Sequence, residues 1–270
     1  MRITFIGGGN MAGAIIGGLL NKGYSADALH VVEIAADARA RLVRQYGVAA
    51  YAQIDAAAVA SDCVVLAVKP QNMREVAAAL RPFVSEQLVI SIAAGIRGSD
   101  LSRWLGGYTR LVRAMPNTPA LVGAGCTGVY AAPGVTEEDA ARAESILGAV
   151  GSTLRVEHEE LLDAITAVSG SGPAYVFYFI EALQQAALEL GLAPGPARRL
   201  ALETFAGAVK LAADSAEDPA ILRARVTSKG GTTAAALASM DADGINKAIV
   251  RAVKAADRRA GELGDELGKD

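Results

Sequence analysis

The chain has 270 residues, 52% of them hydrophobic and only 5% aromatic, with a formal net charge of -3. That length accommodates one large domain or two modest ones. The acidic balance lacks the basic excess of a nucleic-acid surface, and no apolar run approaches the ~20 residues that span a bilayer.

Residues 2–6, RITFI, read as a short apolar strand. GGGNMA follows at 7–12 and leads into a helical pattern reaching about Leu20. LHVVE at 29–33 is a second strand, and 36–47 a helix closed by Gly47. CVVLAV at 63–68 is apolar without alternation, which marks a strand covered on both faces. Lys69-Pro70 ends it, a helix is expected over 72–80, and further strands over 87–95, 109–117 and 126–133. Strands separated by helices indicate an α/β fold with an open, doubly wound parallel sheet.

The first turn is specific. Gly7, Gly9 and Ala12 fit G-x-G-x-x-[G/A] directly after a strand. Gly7 permits the tight turn, Gly9 lets a pyrophosphate approach the backbone, and Ala12 permits close helix packing. Ile6, Gly7, Gly8, Gly9, Asn10, Met11 and Ala12 are therefore candidate cofactor contacts, with phosphates on the amides of the helix start. The other reading of the turn is a structural glycine bend. Glu33 ends the second strand about 21 residues beyond Ala12, where a carboxylate holds an adenine ribose diol. It would repel a 2′-phosphate, and no arginine immediately follows it, so NADH is favoured locally. Arg39 and Arg41 keep NADPH open, and Glu33 can also be a plain strand end. Ala67, Val68, Lys69, Pro70, Ala93 and Ala94 fall at the carboxyl ends of later strands, where open α/β sheets bind ligands. They are candidates for the nicotinamide side, and Met115, Pro116 and Asn117 occupy another such position. Lys69 is conceivable as a general acid, although a lysine there ordinarily contacts ligand oxygens.

Near residue 160 the pattern becomes wholly helical, placing a boundary between domains 1–158 and 159–270. GSGPAY at 170–175 reads as a turn, with Pro173 suited to a first helical turn. The segment 175–192 is apolar around much of its circumference and needs covering on several sides, by neighbours or by a second subunit. Helices are expected from Pro194 to about Ala213, from Pro219 to about Val226, over 232–240 and over 245–267. TSKGG at 227–231, just ahead of one of them, can cradle an anion or form ordinary turns and caps.

Cys63 and Cys126 are distant in sequence and read as reduced structural thiols. His30 and His158 have no metal-ligand spacing, and Glu159-Glu160 read as solvated surface or a helix start, so no metal is expected. The chain opens directly on a strand pattern, and the cytoplasm is its expected location.

FIGGGNMAGAIIGGL at 5–19, LAVKPQ at 66–71, SIAAGI at 91–96, VRAMPNTPA at 112–120, AVSGSGPAY at 167–175 and VTSKGGTTAAAL at 226–237 together resemble the pyrroline-5-carboxylate reductase family, in its order and spacing over essentially the whole chain. The resemblance implies a Rossmann-like domain followed by a helical dimerisation domain like the carboxyl-terminal domain of 6-phosphogluconate dehydrogenase. It implies reduction of L-1-pyrroline-5-carboxylate to L-proline with NADPH or NADH, and interlocked dimers that can assemble further, up to a decamer. The substrate pocket is then expected at the domain and subunit boundary. Gly230, Gly231 and Thr232 are expected to seat the substrate carboxylate on backbone amides, with Ser228 adding a hydroxyl. Thr233 resembles the family threonine that hydrogen-bonds the ring nitrogen; its other reading is a cap or packing role. Ser171 either helps wall the pocket, with Met115 and Asn117, or caps a helix. Many members of the family carry proline where this chain has Lys229. The alternatives are a related imine reductase or 3-hydroxyacid dehydrogenase, or a nicotinamide-binding regulatory protein without turnover.

Overall fold

The computed structural model describes residues 1–269 and divides into two compact units, one of residues 1–171 with 256–269, the other of residues 172–255. The first is built on an eight-stranded sheet: β1 (Ile3–Ile6), β2 (Leu29–Val32), β3 (Ala49–Tyr51), β4 (Cys63–Leu66), β5 (Leu88–Ser91), β6 (Leu111–Met115), β7 (Gly125–Ala131) and β8 (Gly151–Arg155). Their order is β3-β2-β1-β4-β5-β6-β7-β8. β1 lies between β2 and β4 in parallel register, Ile3 opposite both Leu29 and Cys63. Successive side chains on a strand point to opposite faces. Ile3 and Phe5 of β1, with Cys63 and Val65 of β4, thus enter one core cluster. Ile6, Val64 and Leu66 enter the other. Two cores on two faces make the sheet doubly wound.

One expectation needs correcting: the sheet is mixed. β6 pairs antiparallel with β7, Met115 opposite Gly128. The connection between them holds only a 3₁₀ segment, Thr118–Val122. A parallel return needs a crossover of a dozen or more residues. β7 and β8 are again parallel, joined through the helix at Glu137–Leu147. β3 and β8 were not expected, since the tripeptide AAY and the largely exposed GSTLR carry no apolar run.

The helices flanking the sheet are α1 (Asn10–Asn21), α2 (Ala36–Tyr46), α3 (Met73–Leu80), α4 (Gly98–Trp104) and α5 (Glu137–Leu147). α5 starts on Thr136, whose side chain accepts from the Asp139 amide, and carries three acids in its first turn, where the helix dipole favours them. α6 (Leu161–Ile165) runs into a π-helical turn, Thr166–Gly170, before α7 (Gly172–Glu189). The GSGPAY segment is therefore a π-turn and a helix start, not an open turn. The Ser171 N–H donates to the Thr166 carbonyl at 2.8 Å, which closes the π-turn.

The compact units divide at Ser171, beyond the boundary expected at 158/159, and the chain's end belongs with the sheet. The physical reason lies in the packing. Leu162 of α6 is buried, and Leu267 packs against the second core cluster. Arg103 donates to the Gly268 carbonyl at 2.7 Å.

The second unit is helical: α7, α8 (Pro194–Ala213), α9 (Pro219–Arg225), α10 (Thr232–Ala242) and the first part of α11 (Ile245–Leu267). α7 packs against α8 but buries none of its own residues, leaving Phe177 67% and Tyr178 70% exposed. So many large apolar side chains left exposed on one helix mark an interaction surface. No helix among the described residues is long and apolar enough to cross a membrane.

Candidate functional site

The glycine-rich turn joins β1 to α1. Gly7 has φ +101°, and a Cβ there would lie 2.7 Å from the Ala67 carbonyl oxygen and 3.0 Å from Val68. Glycine is therefore required both by backbone conformation and by space. The close approach brings the Ala67–Val68 segment against the turn. The Ala67 amide donates to the Ile6 carbonyl at 2.8 Å, and the Gly7 amide donates to the Val32 carbonyl at 2.8 Å. Gly9 differs: nothing stands within 4 Å of a Cβ built on it. It is the N-cap of α1 in extended conformation, without a side-chain cap. The first-turn amides at Asn10, Met11 and Ala12 have no intrahelical acceptor. Open space in front of such amides fits a pyrophosphate, so the turn passes that steric test for a dinucleotide.

Glu33 faces this turn. Its Oε2 accepts from the Gly8 amide and its Oε1 from the Ala35 amide, both at 2.9 Å. Arg39 folds back from α2 and donates from Nη1 to the carbonyls of Glu33, 2.6 Å, and Ile34, 2.8 Å. An acid, a guanidinium and the 85% exposed Ile34 thus cluster beyond β2. Lys69 is exposed, beyond the half-buried Ala67 and Val68 and just before Pro70. Ala93 is buried and Ala94 half-buried, in the segment after β5.

Met115 and Asn117 follow β6. Met115 Cε lies 2.6 Å from where a Cβ on Gly170 would sit, so the Met115 side chain packs directly against the π-turn. Asn117 donates from Nδ2 to the Ser169 carbonyl at 3.1 Å and accepts at Oδ1 from the Cys126 amide at 2.9 Å. Its amide is thus engaged in fixing the π-turn and the start of β7.

Sequence reading missed one charged group here. Glu159 stands just ahead of α6, in keeping with the helix-start reading of Glu159-Glu160, but it is not a solvated acid. Its Oε1 accepts from Arg113 Nη1 and from the Gly98 amide, both at 2.6 Å. The Arg113 side chain on β6 is 7% exposed and that of Glu159 20%. An arginine inside the apolar strand LVRAM was the available signal, because a buried guanidinium requires a carboxylate.

Ser228, Gly230, Gly231, Thr232 and Thr233 form their own cluster in the helical unit. Gly230 has φ +73°, and Gly231 donates to the Ser228 carbonyl at 3.0 Å. Ser228 Oγ lies 2.4 Å from where a Gly231 Cβ would sit. Gly231 is the N-cap of α10, again without a side-chain cap. The amides of Thr232, Thr233 and Ala234 therefore open the helix without intrahelical acceptors. Thr233 is half-buried; Ser228, Lys229 and Thr232 are exposed.

Cys63 and Cys126 are free thiols, and burial pushes the Cys63 thiol well up, so it stays protonated. Among the described residues no cluster of His, Cys, Asp and Glu could hold a metal ion. Two surface concavities, of about 510 and 300 Å³, lie around Arg2, Asp62, Gln87 and Arg110, at the amino-terminal ends of β1, β4, β5 and β6. Their lining contains none of the residues clustered around the glycine turn.

Residues 159–263 match the family model for pyrroline-5-carboxylate reductase dimerisation, and residues 2–95 match that for coenzyme F420-dependent NADP oxidoreductases. The chain is 44% identical to the pyrroline-5-carboxylate reductase of Pseudomonas aeruginosa, over 99% of this chain and 98% of that protein. The chain belongs to the pyrroline-5-carboxylate reductase family. The solved pyrroline-5-carboxylate reductase of Coxiella burnetii superposes with a TM-score of 0.92 at 41% identity, over 97% of this chain and 98% of that one. The Plasmodium falciparum pyrroline carboxylate reductase, solved with NADP bound, superposes with a TM-score of 0.87 at 28% identity, over 98% of each chain. Both family models are thus represented on one reductase chain, a Rossmann-like unit followed by a helical dimerisation unit.

Proposed function

We infer that this protein reduces L-1-pyrroline-5-carboxylate to L-proline with NADPH or NADH, the final step of proline biosynthesis. The observation that carries the reading is 44% identity to such a reductase along 99% of this chain and 98% of that protein.

In the site we propose, the amides of residues 7–12 hold the cofactor pyrophosphate, and Glu33 takes the ribose diol. Ala67, Val68, Lys69, Pro70, Ala93 and Ala94 bound the nicotinamide. Bound reduced nicotinamide supplies a hydride to the C=N carbon. The residues of the chain supply placement and charge. The α10 amides at Thr232 and Thr233, with Ser228 and the room left by Gly230 and Gly231, seat the substrate carboxylate on the positive end of the helix dipole. Thr233 Oγ1 hydrogen-bonds the ring nitrogen and orients the imine. A threonine hydroxyl is too weak an acid to protonate that nitrogen by itself at neutral pH, so water delivers the proton. Met115 and Ser171 border the pocket; Asn117 shapes it through Ser169.

The exposed apolar face of α7 supports self-association through the helical unit. A decamer built from dimers is the larger assembly within this proposal, and light scattering separates the two. The expected location is the cytoplasm. A related imine reductase or hydroxyacid dehydrogenase is not favoured by any particular residue, and neither is a binding protein without turnover.

The deciding experiment is turnover of L-1-pyrroline-5-carboxylate by the purified protein with each reduced cofactor. Proline formation with at least one is expected. Its absence with both would overturn the reading.

A further inference from the structure

The segment Ile92–Arg97, between β5 and α4, contains Ala93 and Ala94. It is tethered at both ends. At its start, the Ile92 amide donates to the Leu66 carbonyl of the neighbouring strand at 3.1 Å. At its end, the Gly98 amide donates to Glu159 Oε1 at 2.6 Å. In the middle, Gly95 has φ +72°, with Leu267 Cδ1 3.1 Å and Leu263 Cβ 3.4 Å from where a Cβ would sit. The segment is therefore backed by the last turns of α11 and cannot retreat from the sheet.

Glu159 is sixty-one residues from Gly98 in sequence and belongs to neither β5 nor α4. The oxygen that accepts from Gly98 also accepts from Arg113 at 2.6 Å. Arg113 stands on β6 directly opposite Ser91, the last residue of β5. One carboxylate oxygen thus bolts the far end of the segment to the strand beside its near end. A carboxylate at the first amide of a helix also complements the helix dipole.

We propose that Glu159 is a positioning residue that sets the Ala93–Ala94 segment at the height the nicotinamide needs. The proposal rests on the site reading above, in which these alanines bound the cofactor. Glu159 touches neither substrate nor cofactor; it acts through the Gly98 amide.

Its two bonds can be separated. In Glu159→Gln the amide oxygen can still accept from Gly98, but the charge facing Arg113 is gone. In Glu159→Ala both are gone. A merely supporting residue would make cofactor use follow stability, so the two variants would behave alike. Positioning through Gly98 predicts a different split. Both variants melt at lower temperature than wild type, because Arg113 loses its counter-charge in each. Glu159→Ala raises KM for NAD(P)H roughly tenfold, on the scale of one lost charge-assisted hydrogen bond, with kcat changing much less. Glu159→Gln keeps that KM within about twofold of wild type. An unchanged cofactor KM in Glu159→Ala, or an equal rise in both variants, would overturn the proposal. Should Glu159→Ala fail to fold, Gly98→Pro removes the same N–H, its ring taking the space in front of Glu159 Oε1; proline is accepted at a first helical position. It must raise KM in the same way, and an unchanged KM there also overturns the proposal. Ala94→Leu tests the reading underneath. If it leaves the cofactor KM unchanged, the segment does not bound the cofactor and both ideas fall. If it raises KM and Glu159→Ala does not, only the positioning role falls.

Discussion

Asn117 gives its side-chain N–H to the carbonyl of Ser169, and Pro173, four residues further on, has no N–H to offer that carbonyl. A helix interrupted by proline leaves a carbonyl without its usual donor. Here the donor comes from the loop after β6, and the other end of the same amide holds the Cys126 amide at the start of β7. Asn117→Ala strands both groups and should cost about 1–3 kcal/mol of stability. Asn117→Asp keeps the acceptor for Cys126 but turns a carboxylate toward a carbonyl, and should be destabilised at least as much. Denaturant unfolding of the two variants at pH 7 checks this; an alanine variant as stable as wild type would refute it.

Arg110 meets Asp139 through two parallel bonds, Nε to Oδ2 at 2.6 Å and Nη2 to Oδ1 at 2.8 Å. This bonding holds the Asp139 carboxyl below its ordinary pKa, against the opposing effect of burial. A folded-state pKa below the unfolded value of ~3.9 means the stabilisation is complete above about pH 4. It is lost as pH falls through the lowered folded value. Asp139→Asn should therefore cost about 1.5–3 kcal/mol at pH 7. It should also flatten the loss of stability below pH 4. Thermal melts of both proteins across that range measure the difference, and parallel curves would remove Asp139 from the acid response.

How much of this could be read from the sequence depended on how local the cause was. The β1 strand, the glycine turn, α1 and Glu33 lie close together in the chain and carry their reasons in their own residue types. The helical half was equally plain, since Pro194 and Pro219 stand in the first turns of α8 and α9. β3 and β8 were hidden because short or solvent-facing strands need no apolar run. The antiparallel step at β7 follows from connection length, which single-strand patterns do not express. Glu159 was misread because both its partners, Arg113 and Gly98, are brought to it only by the sheet. The π-turn was missed because Thr166–Gly170 has an ordinary helical composition, and it shows only in the Ser171-to-Thr166 hydrogen bond.

Cofactor choice should be set by Glu33 and Arg39. The Glu33 carboxylate already holds the amides of Gly8 and Ala35. A 2′-phosphate brought beside it would meet like charge. Glu33→Ala should lower kcat/KM for NADH about tenfold, the scale of one charge-assisted hydrogen bond, and shift the NADH-to-NADPH ratio toward NADPH. Arg39 spends Nη1 on two carbonyls and remains the nearest cation in sequence to Glu33. Arg39→Ala should depress NADPH use more than NADH use. Steady-state kinetics with both cofactors decide, and an unchanged ratio in both variants would remove the pair from specificity.

Thr233 stands at the second position of α10, half-buried, beside the exposed Thr232. With its hydroxyl on the ring nitrogen, Thr233→Ala should lower kcat by roughly tenfold or more, because that bond strengthens as the nitrogen becomes an amine. Thr233→Ser should recover most of the loss. The KM for NAD(P)H should stay within about twofold in both, since the hydroxyl serves the substrate and not the cofactor. Wild-type kinetics in the alanine variant would exclude the role and leave Thr233 as a packing residue.

Gly7 and Gly9 separate folding from binding at one turn. A Cβ on Gly7 would enter the Ala67 carbonyl from a backbone with φ +101°, so Gly7→Ala strains the fold itself. Gly9 has φ -72° and ψ -175°, which any residue adopts, and a Cβ there meets nothing within 4 Å. Gly9→Ala should therefore melt within a degree or two of wild type, as expected for a substitution costing about 0.5 kcal/mol or less. That added methyl nevertheless stands where the pyrophosphate must approach the amides of α1. The dissociation constant for NAD(P)H, followed by nucleotide fluorescence, should rise at least tenfold, because displaced phosphates lose charge-assisted bonds to those amides. A stable Gly9→Ala protein that binds the cofactor as tightly as wild type would place the pyrophosphate elsewhere.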